Sequence, residues 1–329
     1  MRFDGFAGNN DVKQQLSAAI DSGRFPHALL IEGPPGSGKK TLARLLVKAA
    51  VCTGAGEKPC GVCAACRKVD SGHPDVTWLC GDGTQKSLNV AAVRALREDA
   101  AVLPNEAARK VIILADADPM NPQAQNALLK ILEEPPAYML FILTVESRAK
   151  MLPTVQSRCI TVSLHGVTDE EALPVLRPQF PTLSEQDLLD RIRLFSGCIG
   201  AVLQSAEDEQ FSKAIDLIDT IARAIIAPQE VTLLTAFAPL ERDKPLTDTV
   251  LAGLKFVLRD ALAISIGDPD LTISVSPEAA RMLAASLPKR ALRDAIAVID
   301  DLQTSRKRNM NQTLLLTVAC ARLREAAGR

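Results

Sequence analysis

Aromatic side chains are scarce in this sequence: they make up 3% of the 329 residues, with one Trp and one Tyr among them. Charge of one sign is scarce too, since 38 Lys and Arg face 39 Asp and Glu for a net charge of -1. A protein that stacks bases and tracks a phosphate backbone needs both resources, so the composition argues against a strongly basic, base-stacking nucleic-acid binder. A standalone DNA-binding ATPase would need a basic groove the sequence does not advertise. A local basic face, or contact with DNA through partners, is not excluded. No apolar run reaches the roughly eighteen residues of a membrane span, and no charged-then-apolar leader opens the chain. The expectation is a cytoplasmic protein with no membrane partner. No repeat or low-complexity tract interrupts it. What remains is 47% hydrophobic and 23% charged, a globular composition with length enough for two or three cored domains.

One stretch organises the chain: Gly33-Pro34-Pro35-Gly36-Ser37-Gly38-Lys39-Lys40-Thr41. Residues 28–31 before it read as a buried strand, and residues 42–47 after it as the start of a helix. A glycine-rich turn at that junction points its N–H groups inward, and the helix N-terminus adds positive potential. Gly33, Gly36, Ser37, Gly38, Lys39, Lys40 and Thr41 therefore form a candidate phosphate cradle, with Lys39 reaching the β/γ-phosphates. The pattern breaks at one position. Lys40 stands where a Ser or Thr hydroxyl should hold Mg²⁺, and the hydroxyl is displaced to Thr41. Lys39 and the glycines could still retain ATP or ADP without Mg²⁺ chemistry, with Lys40 mimicking part of the missing cation's charge.

Eight cysteines are present, four of them at Cys52, Cys60, Cys63 and Cys66. Two Cys-x-x-Cys steps share Cys63, and Cys52 returns from the helix end to close a tetrahedron. Four sulfurs without histidine or carboxylate make a closed site, which favours structural Zn²⁺ over catalytic zinc. Free thiols, a redox pair or an iron–sulfur cluster are the competing readings. Cys80, Cys159, Cys198 and Cys320 lack such company and read as small buried hydrophobes.

Further on, Lys110 leads into Val111-Ile112-Ile113-Leu114-Ala115-Asp116, a buried strand closed by an acid that would orient Mg²⁺ opposite the glycine loop. A glutamate that polarises water commonly follows that aspartate; here the residue is Ala117. Asp118, followed by Pro119, is a doubtful substitute. The helix over 123–132 stops at Glu133-Glu134-Pro135-Pro136. Arg158 precedes a short strand at Ile160–Val162. It either pairs with a local acid or reaches a phosphate in another subunit as an arginine finger.

The combination resembles the clamp-loader subunits of the bacterial replicative DNA polymerase, a branch of the AAA+ ATPases. The resemblance rests on His27-Ala28, the glycine loop, the four-cysteine module after its helix, Asn126-Ala127-Leu128-Leu129-Lys130-Ile131-Leu132-Glu133-Glu134-Pro135-Pro136, and Ser157-Arg158-Cys159. Arg308-Asn309-Met310-Asn311-Gln312-Thr313-Leu314 extends it more weakly toward the C-terminus. It implies an α/β P-loop (AAA+) domain over 1–165 with an inserted zinc module at 52–66, a small helical lid over 166–206, and an all-helical collar domain for oligomerisation over 207–329.

Motor subunits of such a family would carry Thr directly after the loop lysine, an Asp-Glu pair, and an arginine in a later nucleotide-sensing helix. This chain has Lys40, Ala117 and, in Ser196-Gly197-Cys198-Ile199-Gly200-Ala201, Ala201 at the arginine's place. Arg158 survives. The pattern is similar to the stator-like delta prime branch: a subunit that hydrolyses little itself and lends Arg158 to a neighbour. The implied partners are delta and gamma/tau subunits in a hetero-pentamer, with the sliding clamp and primed DNA reached through the assembly. The alternative is an active gamma/tau-type ATPase using Thr41 and Asp118.

Overall fold

The computed structural model describes residues 1–22, 25–80, 88–205, 208–268, 272–307 and 310–328; Arg308 and Asn309 of the collar-like segment lie outside them. The chain packs as two compact units, Met1–Val175 with Cys198–Ala201, and Leu176–Gly197 with Val202–Arg329. No helix among the described residues is long and apolar enough to cross a membrane.

The first unit is built on a five-stranded parallel sheet. Its strands are β1 (Ala28–Glu32), β2 (Val76–Cys80), β3 (Lys110–Ala115), β4 (Met139–Val145) and β5 (Ile160–Ser163), in the spatial order β2-β3-β4-β1-β5. Helices α1 (Asn10–Asp21), α2 (Lys39–Val51), α3 (Ala64–Ser71), α4 (Val90–Ala100), α5 (Pro122–Glu133), α6 (Pro153–Gln156) and α7 (Asp169–Leu176) surround it. The continuous apolar runs of β1, β3 and β4 follow from burial on both faces. Leu29, Ile31, Val111, Ile113, Leu140 and Ile142 turn toward Leu42, Leu46 and Val47 of α2. The alternate residues Leu30, Ile112, Leu114, Phe141 and Leu143 turn toward Val93 and Leu96 of α4 and Leu128 of α5. Each such fully buried side chain contributes roughly 1.5–3 kcal/mol. Both edge strands are more open; Ile160 on β5 is 58% exposed.

The second unit is helical. It holds α8 (Glu185–Leu194), the second half of α9 (Ile199–Gln204), α10 (Asp208–Ile225), α11 (Glu230–Phe237), α12 (Lys244–Ile266), α13 (Pro277–Ser286), α14 (Lys289–Lys307) and α15 (Gln312–Ala326). The long α12 is its centre, packing on α10, α13 and α14 through Val250, Leu254, Val257 and Leu258. Starts are fixed by side-chain caps: Ser184 accepts from Asp187 N, Asp243 from Leu246 N, and Asn311 from Leu314 N. Pro174 lies inside α7, and the helix stops two residues later at Leu176.

Asp75, fully buried ahead of β2, ties the 105–107 loop to the sheet. Its carboxylate accepts the backbone N–H groups of Asn105, Glu106 and Ala107 at 2.5, 2.8 and 2.8 Å. Burial pushes this carboxyl up, but the three donors and His73 outweigh burial and hold it below the usual carboxylate range. A depressed carboxyl stabilises the fold above its unfolded value of about 4, and the contribution is lost as pH falls through the lower folded value. Asp75→Ala, which leaves three donors without an acceptor, is expected to cost about 2–3 kcal/mol at neutral pH in urea unfolding. That deficit should shrink on acidification; a deficit of equal size in acid would contradict the assignment.

Candidate functional site

Three chain turns meet at the carboxyl edge of the sheet: the 33–39 loop after β1, Asp116 after β3, and Thr144 to Glu146 at the end of β4. Ligands of open α/β sheets bind at such an edge. Gly36 and Gly38 take φ of 76° and 91°, which glycine adopts without strain. The Gly36 carbonyl accepts a hydrogen bond from Gly200 N at 2.9 Å. A Cβ on Gly36 would fall 2.3 Å from Ala201 N, and one on Gly200 would fall 3.0 Å from Gly36 Cα. Two glycines are therefore needed for the 198–201 segment to pack on the loop.

Inside the loop, Lys39 is buried and its Nζ donates to the Gly33 carbonyl at 2.7 Å and the Pro34 carbonyl at 2.9 Å. Burial pushes its pKa down, while Asp116, Glu146 and Asp118 pull the other way. The Ser37 hydroxyl is buried and finds no hydrogen-bond partner among the described residues. A left-handed glycine loop, a buried lysine and an orphaned hydroxyl fit a phosphate group.

Magnesium fits less well. Lys40 Nζ lies 2.6 Å from Asp116 Oδ2, so an ammonium holds the acid that would orient the ion. Asp116 adopts φ of 49°, and its N–H donates to Thr144 Oγ1 at 2.9 Å. Thr41 is exposed on the first turn of α2. Ala117 is buried, and both oxygens of Asp118 accept Glu146 N at 3.0 Å while Lys150 Nζ sits 3.2 Å away. Asp118 is thus engaged in holding the end of β4.

Arg158 lies elsewhere. It precedes β5, whose Ile160 is in register with Leu29 at the start of β1. It lines an open groove of about 630 Å³ with His27, Leu132, Glu133, Ser157, Cys159 and Ile160. Its guanidinium bonds Glu133 Oε1 at 2.7 Å and the Thr154 carbonyl at 2.8 Å. The five residues of β1, about 16 Å of strand, separate this groove from the glycine loop. His27 is at the groove and not at the loop.

Cys52, Cys60, Cys63 and Cys66 bring one sulfur each within 4.8 Å of all the others. Cys52 Sγ and Cys63 Sγ are 4.0 Å apart, close to the roughly 3.8 Å edge of a tetrahedron with zinc–sulfur bonds of about 2.3 Å. Cys63 caps α3 by accepting Cys66 N, and that donor leads the groups pulling its thiol down to about 5. Burial pushes Cys66 up to about 12. Gly54 completes the cradle, because a Cβ there would sit 2.8 Å from Cys60 Sγ and 3.5 Å from Cys52 Sγ. This cluster can hold one zinc ion.

Three features escape a reading by motif: Glu133 as the partner of Arg158, Thr144 as the support of Asp116, and Gly54 as the floor of the cysteine cluster. The first two pair residues 25 and 28 positions apart, beyond any local spacing rule. Gly54, beside Cys52, carried a local signal in its lack of a side chain.

Comparison with known proteins agrees with the geometry. A family model described as DNA polymerase III, delta subunit, matches residues 8–168. DNA polymerase III subunit delta' of Bacillus subtilis is 31% identical over 277 residues, covering 80% of this chain and 79% of that one. Its counterpart from Escherichia coli is 34% identical over 229 residues, covering 68% and 67%. DNA polymerase III subunit gamma/tau of Mycobacterium tuberculosis is 36% identical over 152 residues, 46% of this chain and 26% of that one.

For the cysteine cluster, the purified chain is expected to carry a single zinc and to lose thermal stability on chelation. Cys60→Ser and Gly54→Val should each lower the zinc content measured by atomic absorption. Full zinc retention in both variants would contradict a closed four-sulfur site.

Proposed function

The chain belongs to the bacterial DNA polymerase III clamp-loader subunits of the delta'/gamma/tau AAA+ family, and we propose that it serves there as a non-motor, stator-like subunit. It would support ATP-dependent loading of a sliding clamp onto primed DNA, within an assembly containing delta and gamma/tau subunits. Its own loop would hold ATP or ADP without turning it over.

The observation that carries this reading is the separation of the two functional ends. Arg158 and its groove lie at the amino edge of β1, and the glycine loop lies at the carboxyl edge. An arginine so placed does not serve the loop of its own chain. It suits a head-to-tail assembly, where the amino edge of one subunit meets the carboxyl edge of the next. There a neighbour's phosphate would replace Glu133 as the partner of the guanidinium and draw on its fixed charge in the transition state. The chain's own loop lacks the corresponding parts: Lys40 holds Asp116, Ala117 has no carboxylate, and Asp118 is occupied by Glu146 N and Lys150. Ala201 supplies no charge above Gly36.

Arg158→Ala, reconstituted with delta and gamma/tau subunits, is expected to lower turnover at the single site it completes by about a thousandfold. Total ATPase should fall by that site's share, with the chain's own melting temperature little changed. Equal ATPase and clamp loading in wild-type and variant assemblies would reject the role in trans. Mg²⁺-dependent turnover by the isolated chain that disappears in Lys39→Ala would favour the motor-subunit reading instead.

A further inference from the structure

The ion pair between Lys40 and Asp116 does more than remove a magnesium ligand. Asp116 directly follows β3 and faces the glycine loop, held there by a left-handed backbone and by its N–H donated to the buried Thr144 hydroxyl. An unpaired carboxylate at that place would repel a phosphate, and in a hydrolysing P-loop the metal cancels this repulsion. Here the cancelling charge comes from the chain. Lys40 is the second residue of α2, adjacent to Lys39, and its Nζ is 2.6 Å from Asp116 Oδ2. A divalent cation bound to the same oxygen would have to displace an ammonium of like charge.

The rest of the loop retains the features of an anion cradle. Gly36 and Gly38 keep left-handed backbones, and the bond from Gly200 N to the Gly36 carbonyl fixes the loop's outer side. Lys39 rests on two carbonyls of the loop. The Ser37 hydroxyl, 9% exposed, lies against Gly33 across the loop and has no partner among the described residues. A phosphate oxygen would give Lys39 a stronger acceptor than those carbonyls and would offer Ser37 its missing one.

We propose that the loop is a metal-independent site for a nucleoside diphosphate or triphosphate, with Lys40 acting as the built-in counter-cation of Asp116. The proposal rests on the reading of the loop as a retained phosphate cradle. It has a second consequence. Magnesium in hydrolysing sites bridges the β- and γ-phosphates, so a site without it loses the main device that distinguishes the triphosphate from the diphosphate. ADP and ATP should therefore bind with similar affinity, and the chain should stay loaded whatever the hydrolytic state of its neighbours.

The test is a titration of the purified full chain with N-methylanthraniloyl-ADP, followed by fluorescence anisotropy, in excess EDTA and in excess MgCl2, with unlabelled ADP and ATP as competitors. The wild type should bind equally in the two buffers, within about twofold, and the two competitors should agree within about threefold. Lys40→Thr restores a hydroxyl and exposes the Asp116 charge. It should weaken binding in EDTA by about tenfold or more, with MgCl2 recovering the loss. Zinc content and the thermal melt serve as checks that this variant is folded. Binding by the wild type that requires MgCl2, or unchanged binding in EDTA by a folded Lys40→Thr chain, would overturn the proposal while leaving the phosphate cradle intact. Absence of binding in both buffers would overturn the cradle as well.

Discussion

The five-stranded parallel sheet imposes one constraint on everything else: its two edges are different. Parallel strands put all their carboxyl ends on one side, so loops that receive a phosphate gather there, and residues ahead of the strands gather on the other. Burial on both faces makes this arrangement rigid. Leu29 and Ile31 face one layer of helices while Leu30 and Phe141 face the other, and a one-residue slip of a strand would exchange the two sets. The glycine loop and Arg158 are held apart by that rigidity, across the length of β1. The proposed role in a row of subunits depends on this opposition of the two ends.

Within this frame, charge balance at the carboxyl edge decides what the loop can do. A lysine in place of a hydroxyl is a change of one residue, yet it alters three relations together. It takes away the hydroxyl that would hold a metal, occupies Asp116 with an ammonium, and puts a second lysine directly after Lys39. Asp118, the nearest replacement for the missing glutamate, is committed to the backbone of Glu146 and to Lys150. Ala201 packs against Gly36 where a charged side chain would need room. These features all bear on the proposed reading of a loop that holds phosphate without cleaving its bonds.

Much of this was legible in the sequence because it depends on local order. Strands buried on both faces appear as unbroken apolar runs, so β1, β3 and β4 could be located without a structure. The glycine loop and the cysteine spacing are short patterns with fixed geometry. Other features were hidden for physical reasons. Helix α3 starts at the last residues of the cysteine module, with Cys63 as its cap and Cys66 in its first turn, and its eight residues are too few for a helical period to stand out beside the metal-ligand spacing. Helix α14 runs to Lys307, past the apolar pattern that ends at Leu302, because its last turns are polar and partly exposed. Sequence left Arg158 open between a local acid and a distant phosphate. The fold supplies the acid, Glu133, and sets the pair in an open groove where the bond can be exchanged.

The central claim is that this chain gives an arginine to a neighbour and carries no magnesium at its own loop. A structure of the assembled loader with an ATP analogue and magnesium tests both parts at once. The expected result places the Arg158 guanidinium on the terminal phosphate bound by the adjacent subunit, with Lys40 still on Asp116. Arg158 remaining on Glu133 at an occupied interface, or a magnesium ion held by Asp116, would contradict the account.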